Sequence, residues 1–138
     1  MKDELKQKVI VILIQSVIAY LHIVGVGRNS TEMIFNLSAS YFSDLALPFG
    51  FYFLLKMLEP QIAAVRRWWV KAGAVFLLAA TAEALQYLGV YALGRTFDPL
   101  DFVAYAAGLL LAVCFDTILA RFLPFWRPVL SGRKDSEE

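Results

Sequence analysis

One cysteine, one histidine and few charged residues distinguish this sequence from that of an ordinary soluble domain. The lone Cys114 excludes an internal disulfide and a cysteine-based metal cluster. Because Cys114 lies within an apolar run, we expect it to be a small buried side chain rather than a reactive thiol. Charged residues make up 18% of the chain, whereas about a quarter is usual in soluble domains. With 59% hydrophobic residues, the composition predicts a single membrane domain over residues 1–138.

Sequence motifs for catalysis are missing as well. The chain has no metal-ligand spacing, no pairing of a nucleophile with a base and no glycine-rich nucleotide loop. A formal net charge of +1 gives no indication of a nucleic-acid partner. We therefore expect no cofactor, no metal and no nucleic-acid partner, and a role other than catalysis is favoured.

Three apolar stretches are long enough to cross a hydrocarbon core of about 30 Å, and a fourth becomes long enough when the polar residues at its start are included. Val9 to Val26 runs 18 residues without a formal charge, which exceeds the apolar core of about 7–15 residues in a cleaved signal peptide. We interpret it as the first span, and we expect a separate short surface helix capped by Asn29 or Ser30 after it. The predicted transmembrane segments are residues 9–26, 40–58, 72–93 and 102–123.

The second span contains charged residues and a proline. Its apolar part is too short to cross alone, so the helix must begin near Ser40 and include Asp44. Pro48 then lies inside the helix and should bend it. We expect Lys56 to extend its ammonium to the membrane surface.

The distribution of Lys and Arg predicts the orientation of the chain. Eleven of the thirteen lie on the side of the N-terminus, and only Arg28 and Arg95 lie on the other. The positive-inside rule therefore predicts an all-α, four-helix transmembrane bundle with both termini in the cytoplasm. The same rule assigns Asp44 and the loop that carries Arg95 to the extracytoplasmic side.

Glu83 and Gln86 are the polar residues of the third predicted span. Glu83 is the twelfth of its 22 residues, near the bilayer midplane, where an ionised carboxylate costs about 2.5–3.5 kcal/mol. It must be protonated, paired or facing water, and Gln86 shares its face one turn further out. Two roles stay open: a hydrogen-bonding clamp between helices or a functional site.

The fourth span starts with a helix N-terminal motif, Asp98-Pro99-Leu100-Asp101. Asp98 suits the cap, Pro99 the first helical position and Asp101 the third, where a carboxylate favours the positive end of the helix. Capping alone accounts for both aspartates. A functional role is therefore less favoured for Asp98 than for Asp101, which also begins a polar face.

That face of the fourth span combines polar and small residues. The small ones predict close approach to the alanine-rich third span, which would bring Tyr105 to Glu83. Asp116 is expected to meet water or to pair with Arg121. The face consists of Asp101, Tyr105, Gly108, Ala112 and Asp116.

Together these positions predict an outward-facing polar pocket. Arg95 is expected to pair with a nearby aspartate or to meet an anionic head group. His22, the only histidine, shares a helical face with Gln15 that should turn toward protein. The predicted ligand-binding residues are Asp44, Glu83, Gln86, Arg95, Asp101 and Tyr105, and the secondary candidates are His22, Asp98 and Asp116.

Two motifs connect these residues. They are Glu83-x-x-Gln86 in the third span, and Arg95-x-Phe97-Asp98-x-x-Asp101 with Tyr105 and Gly108 at the start of the fourth. They resemble the VanZ-like family of small four-span bacterial membrane proteins, and Asp44 and Tyr52 resemble its second-span pattern. Tyr105 stands where that family usually has Asn, as in a related group of domains of unknown function. The resemblance implies a protein of the bacterial inner membrane and cell envelope, associated with glycopeptide (teicoplanin) resistance.

Two classes of function remain open. In the first, the pocket binds a membrane lipid, a lipid-linked envelope precursor or another amphiphile. In the second, the chain is a structural or regulatory subunit that packs against a second copy or a larger membrane protein, with the same polar residues joining helices. An enzyme or a proton-coupled carrier using Glu83 and Asp116 ranks third. No catalytic motif supports the enzyme, and the absence of a detectable inverted repeat in the sequence argues against a carrier that acts as a monomer.

Overall fold

The computed structural model describes residues 2–24, 32–90 and 98–127, with the backbone alone over 32–40. Short 3₁₀ turns follow two of its helices, at Ala63–Arg66 and Pro124–Trp126. No strand occurs in the described ranges, so the prediction of an all-helical chain is confirmed there. The four α-helices are α1 Lys2–Val24, α2 Glu32–Lys56, α3 Trp68–Tyr87 and α4 Pro99–Phe122.

The first two helices start earlier than predicted. α1 begins at Lys2, so the charged leader before Val9 forms the first turns of the helix. α2 begins at Glu32 and runs in one piece through Pro48 to Lys56. The prediction of a separate surface helix before the second span is therefore wrong, although its proposed caps, at positions 29 and 30, lie outside the described residues. No glycine or proline interrupts residues 32–43, so nothing breaks the helix there.

α3 ends at Tyr87 rather than near residue 93. Gly89 has φ of +78°, a left-handed conformation that glycine adopts without a steric penalty. The N–H of Gly89 donates to the Gln86 carbonyl and the N–H of Val90 to the Leu85 carbonyl, both at 2.9 Å, which is the hydrogen-bond pattern of a Schellman motif. Glu83 consequently lies near the end of α3, so its predicted position in the middle of the helix is wrong.

α4 begins as predicted from its capping motif. The Asp98 side chain accepts the N–H of Leu100 at 2.9 Å, and Pro99 is the first helical residue. The N–H of Asp101 donates to the Asp98 carbonyl at 3.0 Å. This cap fixes where Asp101 and the rest of its helical face lie relative to α2 and α3.

The helices alternate in direction, and α1 is the peripheral one. The Gln7 side chain, near the start of α1, donates to the backbone carbonyl of Phe125 in the second 3₁₀ turn, so both ends of the described chain lie at one end of the bundle. At the other end His22 hydrogen-bonds the Ser43 hydroxyl at 2.7 Å. In between, Gln15 donates to the Gly50 carbonyl at 2.9 Å. The prediction that the Gln15 and His22 face turns toward protein is confirmed, and its partner is α2.

The closest approach of α4 is to α2 rather than to α3. α2 and α4 share the largest helix–helix interface. A Cβ placed on Gly108 would lie 2.2 Å from the backbone oxygen of Leu45, a separation that only glycine permits. Close packing by the small residues of α4 was therefore predicted correctly, but its partner was not. Ala112, one turn further on, is fully buried.

The distribution of polar and apolar side chains is that of a membrane protein. Lys71 and Glu83 are each 1% exposed, whereas Leu77 and Phe122 are 67% and 74% exposed. Extended apolar surfaces of this kind are unfavourable in water. In the described residues, α1, α3 and α4 are long and apolar enough to cross a membrane, and α2 is not among them. Cys114 is exposed on the outside of α4, so its predicted burial is wrong.

Candidate functional site

Four carboxyl groups meet where α2, α3 and the start of α4 come together. We call Asp44, Glu83, Asp98 and Asp101 the four-carboxyl cluster. Asp44 and Asp101 lie close to each other, and both interact electrostatically with Glu83 and Asp98. The cluster therefore concentrates acceptors and negative charge at one end of the bundle.

Glu83 is the buried member of this cluster. It is 1% exposed, and its Oε1 accepts the hydroxyl of Tyr105 at 2.7 Å. The predicted meeting of Glu83 and Tyr105 is thus confirmed. Its second oxygen, Oε2, is buried and has no hydrogen-bond partner. Leaving a buried polar atom unpaired costs about 1–3 kcal/mol, and more for a charged group, so this oxygen is a position where a donor would be strongly favoured.

Pro48 lies inside α2, four residues after Asp44. It is buried within α2 and has no N–H, so it cannot donate to the carbonyl of Asp44 four residues earlier. That carbonyl is therefore released from the regular hydrogen-bond ladder of the helix.

An apolar groove opens next to the cluster, between the end of α3 and the start of α4. It has a volume of about 410 Å³ and is lined by Ala84, Tyr87, Leu88 and Phe102. Tyr87 lies one helical turn beyond Glu83, on the same side of α3. The rings of Phe102 and Tyr105 are edge to face, with centroids 6.3 Å apart. We call this the α3/α4 groove, and through Tyr105 it adjoins the carboxyl of Glu83.

The other predicted pocket residues have different positions. Gln86 is half-buried one turn beyond Glu83, on the side of the cluster. Arg95 lies outside the described residues, as do all of positions 91–97. His22 is exposed and is engaged with α2, with its ring 5.4 Å from that of Phe42. Asp116 lies at the opposite end of the bundle.

Asp116 belongs to a second polar cluster that sequence analysis missed. We call Lys56, Glu59, Lys71 and Asp116 the lysine–carboxylate cluster. The Nζ of Lys56 lies 3.1 Å from Asp116 and 3.3 Å from Glu59. The Nζ of Lys71 contacts Glu59 and lies 3.4 Å from Asp116. All four residues are at most 8% exposed, and their formal charges cancel.

Two aromatic residues complete this second cluster. Tyr52 donates its hydroxyl to Asp116 Oδ2 at 2.8 Å, and Trp126 donates its indole N–H to Oδ1 at 2.7 Å. The Nζ of Lys56 lies 5.1 Å from the ring centroid of Trp126, and that of Lys71 lies 4.9 Å from Tyr52, both within cation–π range. Glu59 Oε2 lacks a hydrogen-bond partner, but two ammonium groups already balance the charge of its carboxylate.

The second cluster corrects two predictions. Lys56 is 2% exposed and does not extend to the membrane surface, and Asp116 pairs with lysines rather than with water or Arg121. A usable signal was present in the sequence, because Asp44, Pro48, Tyr52 and Lys56 recur every four residues along α2 and must share one face. A polar face through an apolar helix indicates polar partners on the neighbouring helices.

The two clusters differ in what they leave available. The lysine–carboxylate cluster is electrically balanced. Each cluster contains one buried carboxylate oxygen without a hydrogen-bond partner, Glu59 Oε2 or Glu83 Oε2, but only the four-carboxyl cluster lacks a lysine partner within the described residues and has the α3/α4 groove near it. Among the described residues no group of three or more His, Cys, Asp or Glu side chains has the arrangement of a metal site. Comparison with models of protein families, with curated proteins and with solved structures found no match.

Proposed function

We propose that this chain is a VanZ-like membrane protein that binds an amphiphilic ligand in the four-carboxyl cluster. The polar group of the ligand enters among Asp44, Glu83 and Asp101, and its apolar part lies along the α3/α4 groove. A membrane lipid and a lipid-linked envelope precursor are the two ligand classes. Gln86 and Tyr105 complete the pocket, and Arg95 in the adjoining loop contributes to it in the manner predicted from the sequence.

The observation that carries this proposal is the unpaired Oε2 of Glu83. Helix packing alone is satisfied by the hydrogen bond from Tyr105 to Oε1. An additional buried acceptor with no partner opposes stability, and such compromises concentrate at functional sites. The groove next to it supplies apolar contact area that a purely polar ligand would not need.

The proposed membrane arrangement has four spans with both termini in the cytoplasm of a bacterial cell. In this arrangement α2 also crosses the membrane, in addition to α1, α3 and α4, and its charged side chains are enclosed by α3 and α4. The lysine–carboxylate cluster and most of the Lys and Arg residues then lie on the cytoplasmic side, and the four-carboxyl cluster faces outward. A link to glycopeptide resistance follows from the resemblance to the VanZ-like family, through a ligand that belongs to the envelope.

A structural or regulatory subunit is the alternative. The hydrogen bond between Tyr105 and Glu83 favours it, because polar contacts of this kind join helices in membranes. The exposure of most of α1 also leaves room for a partner. In this alternative, removing the Glu83 carboxyl lowers the stability of the bundle and does not change the amount of bound ligand.

Native mass spectrometry of the protein extracted in mild detergent tests the proposal. The expected result is a reproducible bound mass in the wild type that is lost in Glu83→Gln and Arg95→Ala. Asp3→Asn is the control, because it neutralises an exposed carboxylate at the opposite end of the bundle. A ligand-free wild type, or one that retains its lipid equally in all variants, contradicts the pocket and favours the subunit.

A further inference from the structure

The chemistry of the four-carboxyl cluster narrows the class of ligand. Each cluster member offers oxygen acceptors, and no Lys or Arg within the described ranges forms an ion pair with any of the four. The lysine–carboxylate cluster, in contrast, pairs each buried carboxylate with two ammonium groups. Within the described ranges, the buried carboxyl groups at one end of the bundle are thus balanced by lysines, whereas those at the other end have no Lys or Arg partner. Arg95 lies outside these ranges.

The geometry calls for a donor of hydrogen bonds rather than for positive charge alone. Glu83 Oε2 is buried and unpaired, so it gains only from an N–H or O–H directed at it. A primary ammonium has three donors and a full positive charge. A quaternary ammonium has the charge but no N–H.

The α3/α4 groove indicates where such an ammonium comes from. It is lined by Ala84, Tyr87, Leu88 and Phe102, and Phe102 contacts the ring of Tyr105, which hydrogen-bonds Glu83. A free soluble amine would leave this groove unfilled. A lipid that carries the amine in its head group fills the groove with its apolar part.

We propose that the ligand is an aminolipid whose primary ammonium donates to Glu83 Oε2 among the carboxyl groups of Asp44 and Asp101. This inference rests on the proposed function and specifies its ligand. Specificity then depends on the number of N–H groups in the head group. An ethanolamine head group has three on its nitrogen, successive N-methylation removes them one at a time, and a choline head group has none.

Titration of the detergent-purified full-length chain with a methylation series of lipids tests the inference. The probes are phosphatidylethanolamine, its N-methyl and N,N-dimethyl forms and phosphatidylcholine, all with the same acyl chains, and binding is read by native mass spectrometry. We expect an affinity for phosphatidylethanolamine at least about tenfold higher than for phosphatidylcholine, which corresponds to about 1.4 kcal/mol. Intermediate affinities are expected for the two methylated forms.

Two variants connect the preference to the cluster. Glu83→Gln keeps one oxygen that can accept the Tyr105 hydroxyl. It replaces the other oxygen with an NH₂ donor and removes the negative charge, so the tenfold preference should disappear. Asp3→Asn should leave it unchanged. Ethanolamine and butylamine, added without lipid at the same concentrations, should neither bind nor displace the lipid.

Each contrary result has a separate meaning. Equal binding of phosphatidylethanolamine and phosphatidylcholine, with both reduced in Glu83→Gln, overturns the ammonium inference and leaves the amphiphile pocket intact. Lipid binding that Glu83→Gln does not change, in a variant with the wild-type melting temperature, overturns the pocket together with the inference. Displacement of lipid by free ethanolamine overturns the assignment of the amine to a lipid.

Discussion

Gly108 of α4 and Leu45 of α2 approach so closely that a Cβ on the glycine would lie 2.2 Å from the leucine carbonyl oxygen. Gly108→Ala must therefore separate α2 and α4. Overpacking of this kind costs about 1–3 kcal/mol, and we expect a loss of unfolding free energy in that range. Unfolding by SDS titration in mixed micelles measures it.

Gly73→Ala is the matched control for that substitution. Gly73 is a helical glycine in α3, and a Cβ there would meet nothing within 4 Å. Alanine is favoured over glycine inside a helix by about 0.5–1 kcal/mol, so this variant should be neutral or slightly more stable. Equal effects at the two glycines would show that helix propensity rather than interhelical distance governs position 108.

Variants of Tyr105 and Glu83 distinguish an effect on ligand binding from an effect on the stability of the protein. Tyr105→Phe removes the hydrogen bond that the Glu83 carboxyl accepts from the Tyr105 hydroxyl, and we expect a loss of about 1–3 kcal/mol in the free energy of unfolding. Adding Glu83→Leu in the double variant removes the carboxyl as well and should recover most of this loss, because no buried polar group is left unpaired. Bound lipid should nevertheless be absent from the double variant.

The opposite order of stabilities for the single and double variants would favour the structural or regulatory subunit. A double variant that is less stable than Tyr105→Phe alone, with its bound lipid unchanged, would assign Glu83 to helix packing. Thermal unfolding in detergent and native mass spectra of the same samples give both quantities.

Asp116 holds the lysine–carboxylate cluster together. Asp116→Asn leaves Lys56 and Lys71 facing the single carboxylate of Glu59, and breaking a buried ion pair costs about 3–5 kcal/mol. We expect a loss of this size in the SDS titration. Asp3→Asn removes an exposed pair with Lys6, for which a change of no more than about 1 kcal/mol is expected.

Removing one positive and one negative charge together from the same cluster should destabilise the protein less than removing a single charge. Lys71→Met together with Glu59→Gln removes one charge of each sign and leaves Lys56 with Asp116. We expect this double variant to be more stable than Lys71→Met alone, since the single change leaves an uncompensated buried carboxylate. Additive losses would indicate that the four residues do not form one electrostatic unit.

Trp126 fixes the second 3₁₀ turn to the same cluster. Trp126→Phe removes the indole N–H that Asp116 accepts and weakens the cation–π contact with Lys56. Hydrogen bonds to charged groups contribute about 1.5–3 kcal/mol, and a loss of that order is expected. Trp68→Phe at the exposed start of α3 is the control and should be neutral.

Cysteine accessibility tests the proposed orientation. In a Cys114→Ser background, which removes the exposed native thiol, Val90→Cys reports the end of the four-carboxyl cluster and Gln61→Cys the opposite end. A membrane-impermeant maleimide should label only Val90→Cys in intact cells, and both after permeabilisation. Labelling of Gln61→Cys alone in intact cells would reverse the orientation and direct the pocket toward the cytoplasm.

The helices were predictable from the sequence because each depends on local signals. Apolar runs gave four helices, and the Asp98-Pro99 motif gave the start of α4 correctly. The ends of α2 and α3 were missed because span length was used to set them. Glu32 extends α2 beyond the apolar run, and Gly89 closes α3 before the apolar run is finished.

The pocket was predictable only in part, since it depends on which helices touch. Tyr105 and Glu83 were brought together correctly through the small residues of α4. The approach of Gly108 to Leu45 could not be inferred, because α2 and α3 both offered compatible surfaces. The lysine–carboxylate cluster was missed because Lys56 and Lys71 were treated as surface cations, whereas their burial depends on carboxylates that are distant in sequence.

The polar face of α2 affects how the chain enters the membrane. α2 falls short of the hydropathy that α1, α3 and α4 reach, and its Lys56 is neutralised by Asp116, which is synthesised last among the cluster residues. We infer that a ribosome-bound chain truncated after Tyr87 holds α2 loosely, and that glycosylation-site mapping of such chains would find α2 inserted less often than in the complete protein. In the proposed four-span arrangement, stable insertion of α2 therefore depends on α4, which supplies the carboxylate that pairs with Lys56.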